Sequence, residues 1–346
     1  MNRDDNADMQ QRVRRLRSAS GEFAYAVSGR GPVLVEVQGW LSHLELGWAV
    51  PEERTLHESL SHGRTLVRYD RPGCGLSAGP PAADIVAAEL GLLDALIDAV
   101  AVGRIALLGT SFGAPLAALW AATRPDRCSR LVLYGGWAQG SRLAPPEVRR
   151  HILGLVEHHW GLGSSLLTDI FAPEAGPGLR ALVATYQREA APAGVARRLL
   201  EAAYAIDVTD ALPHVTARTT VLHREGDRAA PFEEGRRLAA SIPAARFVAL
   251  PGRSHLPYVG DVDGVITAVR DALGLPHLRG HQAVALTPRQ LEVAALVAAG
   301  LSNRDIGRRL VVTERTAESH VERIRLRLGF RSRAQIAAWY TAQSAS

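Results

Sequence analysis

The chain has 346 residues and a formal net charge of +5, and its 40 basic residues besides histidine are all arginine. That length suits two or three domains, and 47% apolar residues suits packed cores and excludes a disordered or low-complexity chain. Two cysteines, Cys74 and Cys128, are too few for a disulfide framework, and no apolar run reaches the ~18 residues of a membrane span. Met1–Ser20 is polar and arginine-rich and lacks the apolar stretch of a secretory signal. A cytoplasmic protein that touches no membrane is therefore expected. From Leu286 onward ten arginines face five acids, so the whole basic excess sits in the last sixty or so residues. An anionic partner is expected there and not elsewhere.

In chain order, Gln11–Ala19 and Glu22–Val27 predict two strands around Ser20-Gly21. Val33–Val37 and Thr65–Tyr69 are β-branched runs that predict buried strands, and Ala82–Val100 has helical spacing, with Ile85, Leu92, Leu93, Leu96 and Val100 on one side. Arg104–Leu108 predicts a strand, Ala114–Thr123 a helix and Leu131–Tyr134 a further strand. Strands alternating with helices imply an α/β fold, a parallel sheet covered on both faces. From Trp137 to Leu212 strand runs vanish and the spacing turns helical, punctuated by Pro145-Pro146, Pro173, Gly176-Pro177-Gly178 and Pro192. A helical cap at about 137–212 follows, and its aromatic residues divide between cap core and pocket wall. Thr219–His223 and Arg246–Leu250 resume the strands, Val262–Leu273 predicts an amphipathic helix, and 275–285 reads as a linker.

The chemistry concentrates at Gly109-Thr110-Ser111-Phe112-Gly113. Strand, Gly-x-Ser-x-Gly and helix in immediate succession predict a nucleophile elbow, with Ser111 in strained dihedrals and its hydroxyl presented near a helix N-terminus. Asp227 and His255 each follow a predicted strand, so the chain order is nucleophile, acid, base. A hydroxyl needs an imidazole to take its proton, and the imidazole needs a carboxylate to fix its tautomer. This constellation resembles the α/β-hydrolase fold over roughly Gln11–Gly274. Gly226-Asp227 with Pro231 matches that family's acid loop, Gly252 to His255 its base loop, and Asp70-Arg71-Pro72-Gly73 with Gly75 and Ser77 the loop after its fourth strand. The resemblance implies that the N–H groups of Trp40 and Phe112 form the oxyanion hole. One departure stands out: Gln38-Gly39 occupies the place where the family commonly has His-Gly. A pocket lined by Trp40, Leu41, Phe112, Trp137, Trp160, Tyr186, Tyr204 and Leu256 is expected beneath the cap.

The segment 286–346 predicts four helices. Thr287 caps the first, whose core face is Val293, Ala294 and Val297, and Gly300 ends it; Ser302 or Asn303 caps the second, with Ile306 and Leu310. Thr313 caps the third, where Ala317, Val321, Ile324 and Leu328 form one stripe, and the fourth starts near Ser332 and holds Ile336 and Trp339. The pattern from Leu286-Thr287-Pro288-Arg289 through Leu328-Gly329-Phe330 to Ala334-Gln335 resembles the LuxR-type (NarL/FixJ-like) helix-turn-helix domain. That resemblance implies a third helix in the major groove of double-stranded DNA, with Arg304, Thr313, Arg315, Thr316, Ser319, His320, Arg323 and Arg327 as contact residues. Glu318 stands where many members have lysine, and Gly307 where alanine is usual, which softens the second helix.

Together these readings give an α/β-hydrolase sheet with a helical cap (1–274), a linker (275–285) and a small all-α helix-turn-helix domain (286–346). The expected function is a homodimeric transcription regulator whose hydrolase-like domain senses a small hydrophobic ligand with a carbonyl group, with a triad that permits its hydrolysis. The alternative is a serine ester or lactone hydrolase with an accessory DNA-binding tail. No cofactor and no metal is expected.

Overall fold

A computed structural model describes residues 10–18, 21–77, 79–278, 286, 288–328, 330 and 332–344, apart from the side chains of 288, 326, 327 and 342–344. The chain divides into two compact units, 1–277 and 278–346. Most of the expected linker, the Thr287 cap and the Arg327 side chain lie outside the described residues.

Eight strands build the first unit's sheet: β1 (Arg12–Ser18), β2 (Gly21–Ser28), β3 (Val33–Val37), β4 (Thr65–Tyr69), β5 (Ile105–Thr110), β6 (Cys128–Tyr134), β7 (Arg218–Arg224) and β8 (Arg246–Leu250). Their spatial order is β1-β2-β4-β3-β5-β6-β7-β8. The β1/β2 and β2/β4 pairs are antiparallel and the remaining pairs parallel. The middle strands are mainly apolar because both of their faces are covered, with Glu36 of β3, Arg68 of β4 and Arg224 of β7 as buried charges. The edge strand β1 instead exposes Arg12, Arg14 and Arg15, charges that discourage pairing with another chain.

Two helices, α1 (Leu44–Ala49) and α2 (Pro51–Ser61), lie between β3 and β4, where the sequence predicted none. Helix α3 (Ile85–Val100) starts after Asp84, whose carboxylate accepts from the Ala87 N–H. Helix α4 (Gly113–Thr123) follows the elbow. The cap inserted between β6 and β7 is four helices, α5 (Pro146–His158), α6 (Trp160–Phe171), α7 (Pro177–Ala190) and α8 (Ala193–Ala205). Proline opens α5 and α7, where its missing N–H costs nothing. Helix α9 (Phe232–Ala240), also unpredicted, joins β7 to β8, and α10 (Val262–Leu273) closes the unit on Gly274 in the left-handed conformation. Cys74 and Cys128 are buried free thiols, each pushed up to about 12 by that burial.

The second unit consists of α11 (Pro288–Ala298), α12 (Asn303–Leu310), α13 (Glu314–Arg327) and α14 (Arg333–Ser344). Val293, Ala294, Val297, Ile306, Ala317, Val321, Ile324 and Ile336 form its core, with Leu310, Leu328 and Trp339 packed partly buried at the margin. Ser302 caps α12 by accepting from the Asp305 N–H. Thr313 Oγ1 accepts from the Thr316 N–H at 3.1 Å and so caps α13. Gly307 has a packing reason: a Cβ there would lie 2.9 Å from the Val312 carbonyl, so the turn into α13 closes directly on α12.

Candidate active site and candidate nucleic-acid interface

Four loops at the carboxyl ends of β3, β5, β7 and β8 converge, the edge at which open α/β sheets place their ligands. Ser111 holds φ at 57°, one of three non-glycine residues with positive φ among the described residues. Such strain persists only where the surroundings enforce it. Here a Cβ on Gly113 would stand 1.9 Å from the Val37 carbonyl, and one on Gly109 2.6 Å from the Gly113 carbonyl. Only glycine at both places lets α4 pack this closely on β3.

Ser111 Oγ lies 2.7 Å from His255 Nε2, and His255 Nδ1 lies 2.7 Å from Asp227 Oδ2. Asp227 Oδ1 accepts from the N–H groups of Ala229 and Ala230. Burial alone would raise the Asp227 carboxyl, but the charge and hydrogen bond of His255, then the nearby His223 and the Ala230 N–H, outweigh it and hold the group below its ordinary value. Asp227 therefore stays ionised and fixes the proton of His255 on Nδ1, which leaves Nε2 to accept the serine proton. Among the described residues none accepts from the N–H of Trp40 or of Phe112, the two donors expected to face an oxyanion.

The Gln38-Gly39 departure has a structural counterpart in Arg71. This buried guanidinium donates to the carbonyls of Gln38 and Gly39 and lies 3.1 Å from the Glu89 carboxylate. Its charged centre stands 5.5 Å from the Phe112 ring. One side chain thus braces both strands of the expected oxyanion hole. The base loop is braced from the cap. The Phe171 carbonyl, at the end of α6, accepts from the His255 N–H at 2.7 Å and the Leu256 N–H at 3.2 Å. Glu174 Oε2 accepts from the N–H groups of Arg253 and Ser254. Phe171 and Glu174 escaped the sequence reading, and Arg71 was read only as part of a loop motif, because each acts through backbone groups that only the fold brings near.

Two cavities open on either side of Ser111, and Trp40, Phe171 and His255 stand between them. One, of about 90 Å³, runs past Trp40, Leu41, Tyr186 and Leu256 toward Glu36, Glu53 and His57. The other, of about 150 Å³, lies under the cap and is walled by Phe112, Trp137, Ile152, Leu200 and Tyr204. Seven of the eight expected pocket residues therefore line one cavity or the other. Trp160 lies outside both walls, which corrects the expectation. Its ring meets Trp40 edge-on at 6.1 Å while its Nε1–H donates to the Ala191 carbonyl, so it supports the wall from behind. Among the described residues no group of three or more His, Cys, Asp or Glu is placed to hold a metal ion.

In the second unit Arg304, Thr313, Arg315, Thr316, Ser319 and Arg323 are exposed, and His320 is half-buried. Along α13 the buried stripe Ala317, Val321 and Ile324 turns inward, which leaves Arg315, Ser319 and Arg323 on the solvent side. Arg325, which the sequence reading did not single out, is tied to Glu322.

The alpha/beta hydrolase family model matches residues 29–268, and the model for bacterial regulatory proteins of the luxR family matches 284–340. The polyketide synthase ThaQ of Burkholderia thailandensis is 29% identical over 239 residues, 67% of this chain, yet the chain spans only 11% of that relative's length. The pyrrolizixenacetamide deacetylase of Xenorhabdus hominickii is 22% identical over 267 residues, covering 75% of this chain and 98% of the relative. Among solved structures, the enol-lactonase from Burkholderia xenovorans aligns with a TM-score of 0.63 at 23% identity, over 75% of this chain and 100% of that one. A thermophilic esterase from Thermogutta terrifontis aligns with the same TM-score of 0.63 at 26% identity, over 77% and 100%. The chain belongs to the alpha/beta hydrolase family and carries, after its hydrolase domain, a LuxR-type helix-turn-helix domain.

Proposed function

We propose that this chain is a cytoplasmic, homodimeric transcription regulator whose hydrolase domain binds a small, largely hydrophobic carbonyl compound and hydrolyses it. One observation carries the reading. An intact Ser111–His255–Asp227 relay, with both links at 2.7 Å, opens on two cavities in a chain that also carries a luxR-family domain. The names of the relatives, a deacetylase, a lactonase and an esterase, support acyl transfer to water as the reaction class.

In this mechanism the ligand's carbonyl carbon sits against Ser111 Oγ and its oxygen toward the N–H groups of Trp40 and Phe112. His255 Nε2 takes the serine proton as Oγ bonds to the carbon. The tetrahedral oxyanion is held by the two N–H groups and the N-terminus of α4. Collapse breaks the bond to the leaving group, which takes the proton from His255 and departs. Water, deprotonated by the same imidazole, then attacks the acyl-serine, and the acid leaves with Ser111 restored. Asp227 remains ionised and balances the imidazolium at each stage.

Arg304, Arg315, Thr316, Ser319, His320 and Arg323, with Thr313 at the helix start, are proposed to meet phosphates and base edges of double-stranded DNA. Two such units are needed to cover the half-sites of an operator, hence the proposed dimer. Hydrolysis then ends the signal that the pocket reports.

The complete relay also favours a second reading, a serine hydrolase with an accessory DNA-binding tail. One experiment separates them. The full chain and its Ser111→Ala variant are assayed for hydrolysis of p-nitrophenyl butyrate, and for DNA binding by selection from a random duplex pool. Turnover at least about 10³-fold lower in Ser111→Ala is expected, together with one enriched duplex motif in both proteins. Enrichment of no motif overturns the regulator reading. Equal, near-zero rates in the two proteins overturn the hydrolytic one.

A further inference from the structure

The smaller cavity has a polar wall that the hydrolytic mechanism does not use. Glu53, His57 and Gln187 line it and are 6%, 2% and 3% exposed. Each carries a side-chain atom with no hydrogen-bond partner among the described residues: Glu53 Oε2, His57 Nδ1 and Gln187 Oε1. Glu36 Oε2, on the same wall, also lacks one, although His57 Nε2 stands 3.0 Å away. Buried polar atoms are nearly always paired, so four around one small space call for an explanation.

Proton inventory gives the sign of the missing partner. Gln187 Nε2 donates to the Ser164 carbonyl at 3.1 Å and to Thr168 Oγ1 at 2.8 Å, and Thr168 Oγ1 is itself a donor to that same carbonyl. The amide orientation is thereby fixed, and the atom left over is the carbonyl oxygen, an acceptor. His57 Nε2 lies 3.0 Å from Glu36 Oε2. Burial, and then the Arg68 charge, hold the imidazole toward its neutral form. Its single proton belongs on Nε2, facing the carboxylate, so Nδ1 is also an acceptor. Glu53 Oε2 is a third unpaired atom, and Tyr258 acts on the same carboxyl. Arg68 acts electrostatically on both Glu36 and Glu53 and offsets their charge. Two of the unpaired atoms, His57 Nδ1 and Gln187 Oε1, are therefore acceptors, and the Glu53 carboxyl, pushed up to about 7, presents an oxygen or a hydroxyl, so the wall suits a neutral donor rather than a strong cation. Across Ser111 the cap cavity is walled mainly by hydrocarbon and aromatic rings, with Arg228 also on its lining.

We propose that the smaller cavity is a recognition subsite for one short arm of the ligand that ends in a neutral hydrogen-bond donor, a hydroxyl or amide N–H, while the cap cavity takes the ligand's hydrocarbon arm. The proposal rests on the reading above that a carbonyl compound binds at Ser111. At about 90 Å³ the space accepts a few heavy atoms or a few waters. A site built to bond a donor rejects the isostere that lacks it, because its own acceptors are then left buried and unpaired.

The test uses two isosteric ester pairs and the full-length Ser111→Ala protein, which holds esters without consuming them. Hexyl butanoate is paired with hexyl 3-hydroxypropanoate, and propyl hexanoate with 2-hydroxyethyl hexanoate, so a hydroxyl replaces a terminal methyl on the acyl side or on the alcohol side. Calorimetric titration is expected to give at least about tenfold tighter binding of the hydroxyl member in one pair. That ratio is expected to fall toward one when Gln187→Leu or Glu53→Leu is added. The ratio does not depend on the folded fraction, so a destabilised variant still reports. Equal or better binding of the methyl member in both pairs overturns the proposal, as does a ratio that survives both added substitutions. Turnover of the same esters by the unmodified chain is read in parallel. No turnover with the preference intact overturns hydrolysis and upholds the subsite; turnover without any preference does the reverse. Failure of every ester to bind overturns both.

Discussion

Glu53 shows what a single residue costs and signals. Burial, the largest influence, pushes its carboxyl from 4.5 up to about 7, with Glu36 and Asp70 adding to the rise and Arg68 and Tyr258 opposing it. The folded state thus holds this proton more tightly than the unfolded chain. Its contribution is fully present below pH 4.5 and is lost as pH rises through about 7. A rise of that size corresponds to roughly 3 kcal/mol, as an order of magnitude. Glu53→Gln, neutral at every pH, is expected to lose this part of the pH dependence. Its Tm should approach or exceed that of the unmodified chain at pH 8 and gain nothing at pH 4.5; superimposable Tm–pH curves for the two proteins would refute the assignment. At this scale the sequence was legible where chemistry dictates residue type. Ser111, Asp227 and His255 stood out because each follows a predicted strand, within a motif, in the chain order of the α/β-hydrolase relay. Phe171 and Glu174 did not, and Arg71 stood out only as part of a loop motif and not for its role, since an arginine on two carbonyls and a carbonyl under two N–H groups have no signature in residue type.

Among the elements, the elbow is the most tightly determined. A methyl on Gly113 has no free direction, because the obstacle 1.9 Å away is the backbone of β3. Gly113→Ala is expected to destabilise the first unit by about 3 kcal/mol or more. Gly161, near the start of α6, has nothing within 4 Å of an added Cβ, and Gly161→Ala should stabilise by about 0.5 kcal/mol. Urea unfolding of both variants checks the contrast, and a Gly113→Ala loss below about 1 kcal/mol would mean that the close approach is not required. The strands and the cap were readable from apolar runs and prolines. Helices α1, α2 and α9 were not, for a definite reason. The inner face of α2 carries Glu53, His57, Ser59 and Ser61 as well as leucines, and α9 buries Glu234 and Gly235, so the expected apolar stripe is interrupted. The turn after α12 was expected, but not its conformation, since it places the β-branched Val311 at φ 55°, a conformation normally left to glycine.

Across the whole molecule the charge is divided unevenly. The last sixty or so residues hold ten arginines against five acids, while the remainder of the chain is close to neutral. The net attraction to a polyanion is therefore concentrated in the helix-turn-helix unit. Arg315→Ala and Arg323→Ala should each lower the dependence of log affinity on log salt by about 0.9 if the side chain meets a phosphate, and weaken binding to all duplexes alike. Fluorescence anisotropy with one duplex across a salt series measures this, and unchanged slopes in both variants would remove α13 from the interface. The family of each domain was legible because its motifs are dense; the polar wall beside Ser111 was not, because its members come from three separate segments.

The backbone link between Phe171 and the base loop sets a limit on timing. The carbonyl that ends α6 is the acceptor for the N–H of His255 itself. A lid that swings outward from that hinge takes the proton shuttle out of register with the nucleophile. If the domain hydrolyses its ligand as proposed, cleavage then requires the cap in place, and exchange of the guest and its cleavage cannot coincide.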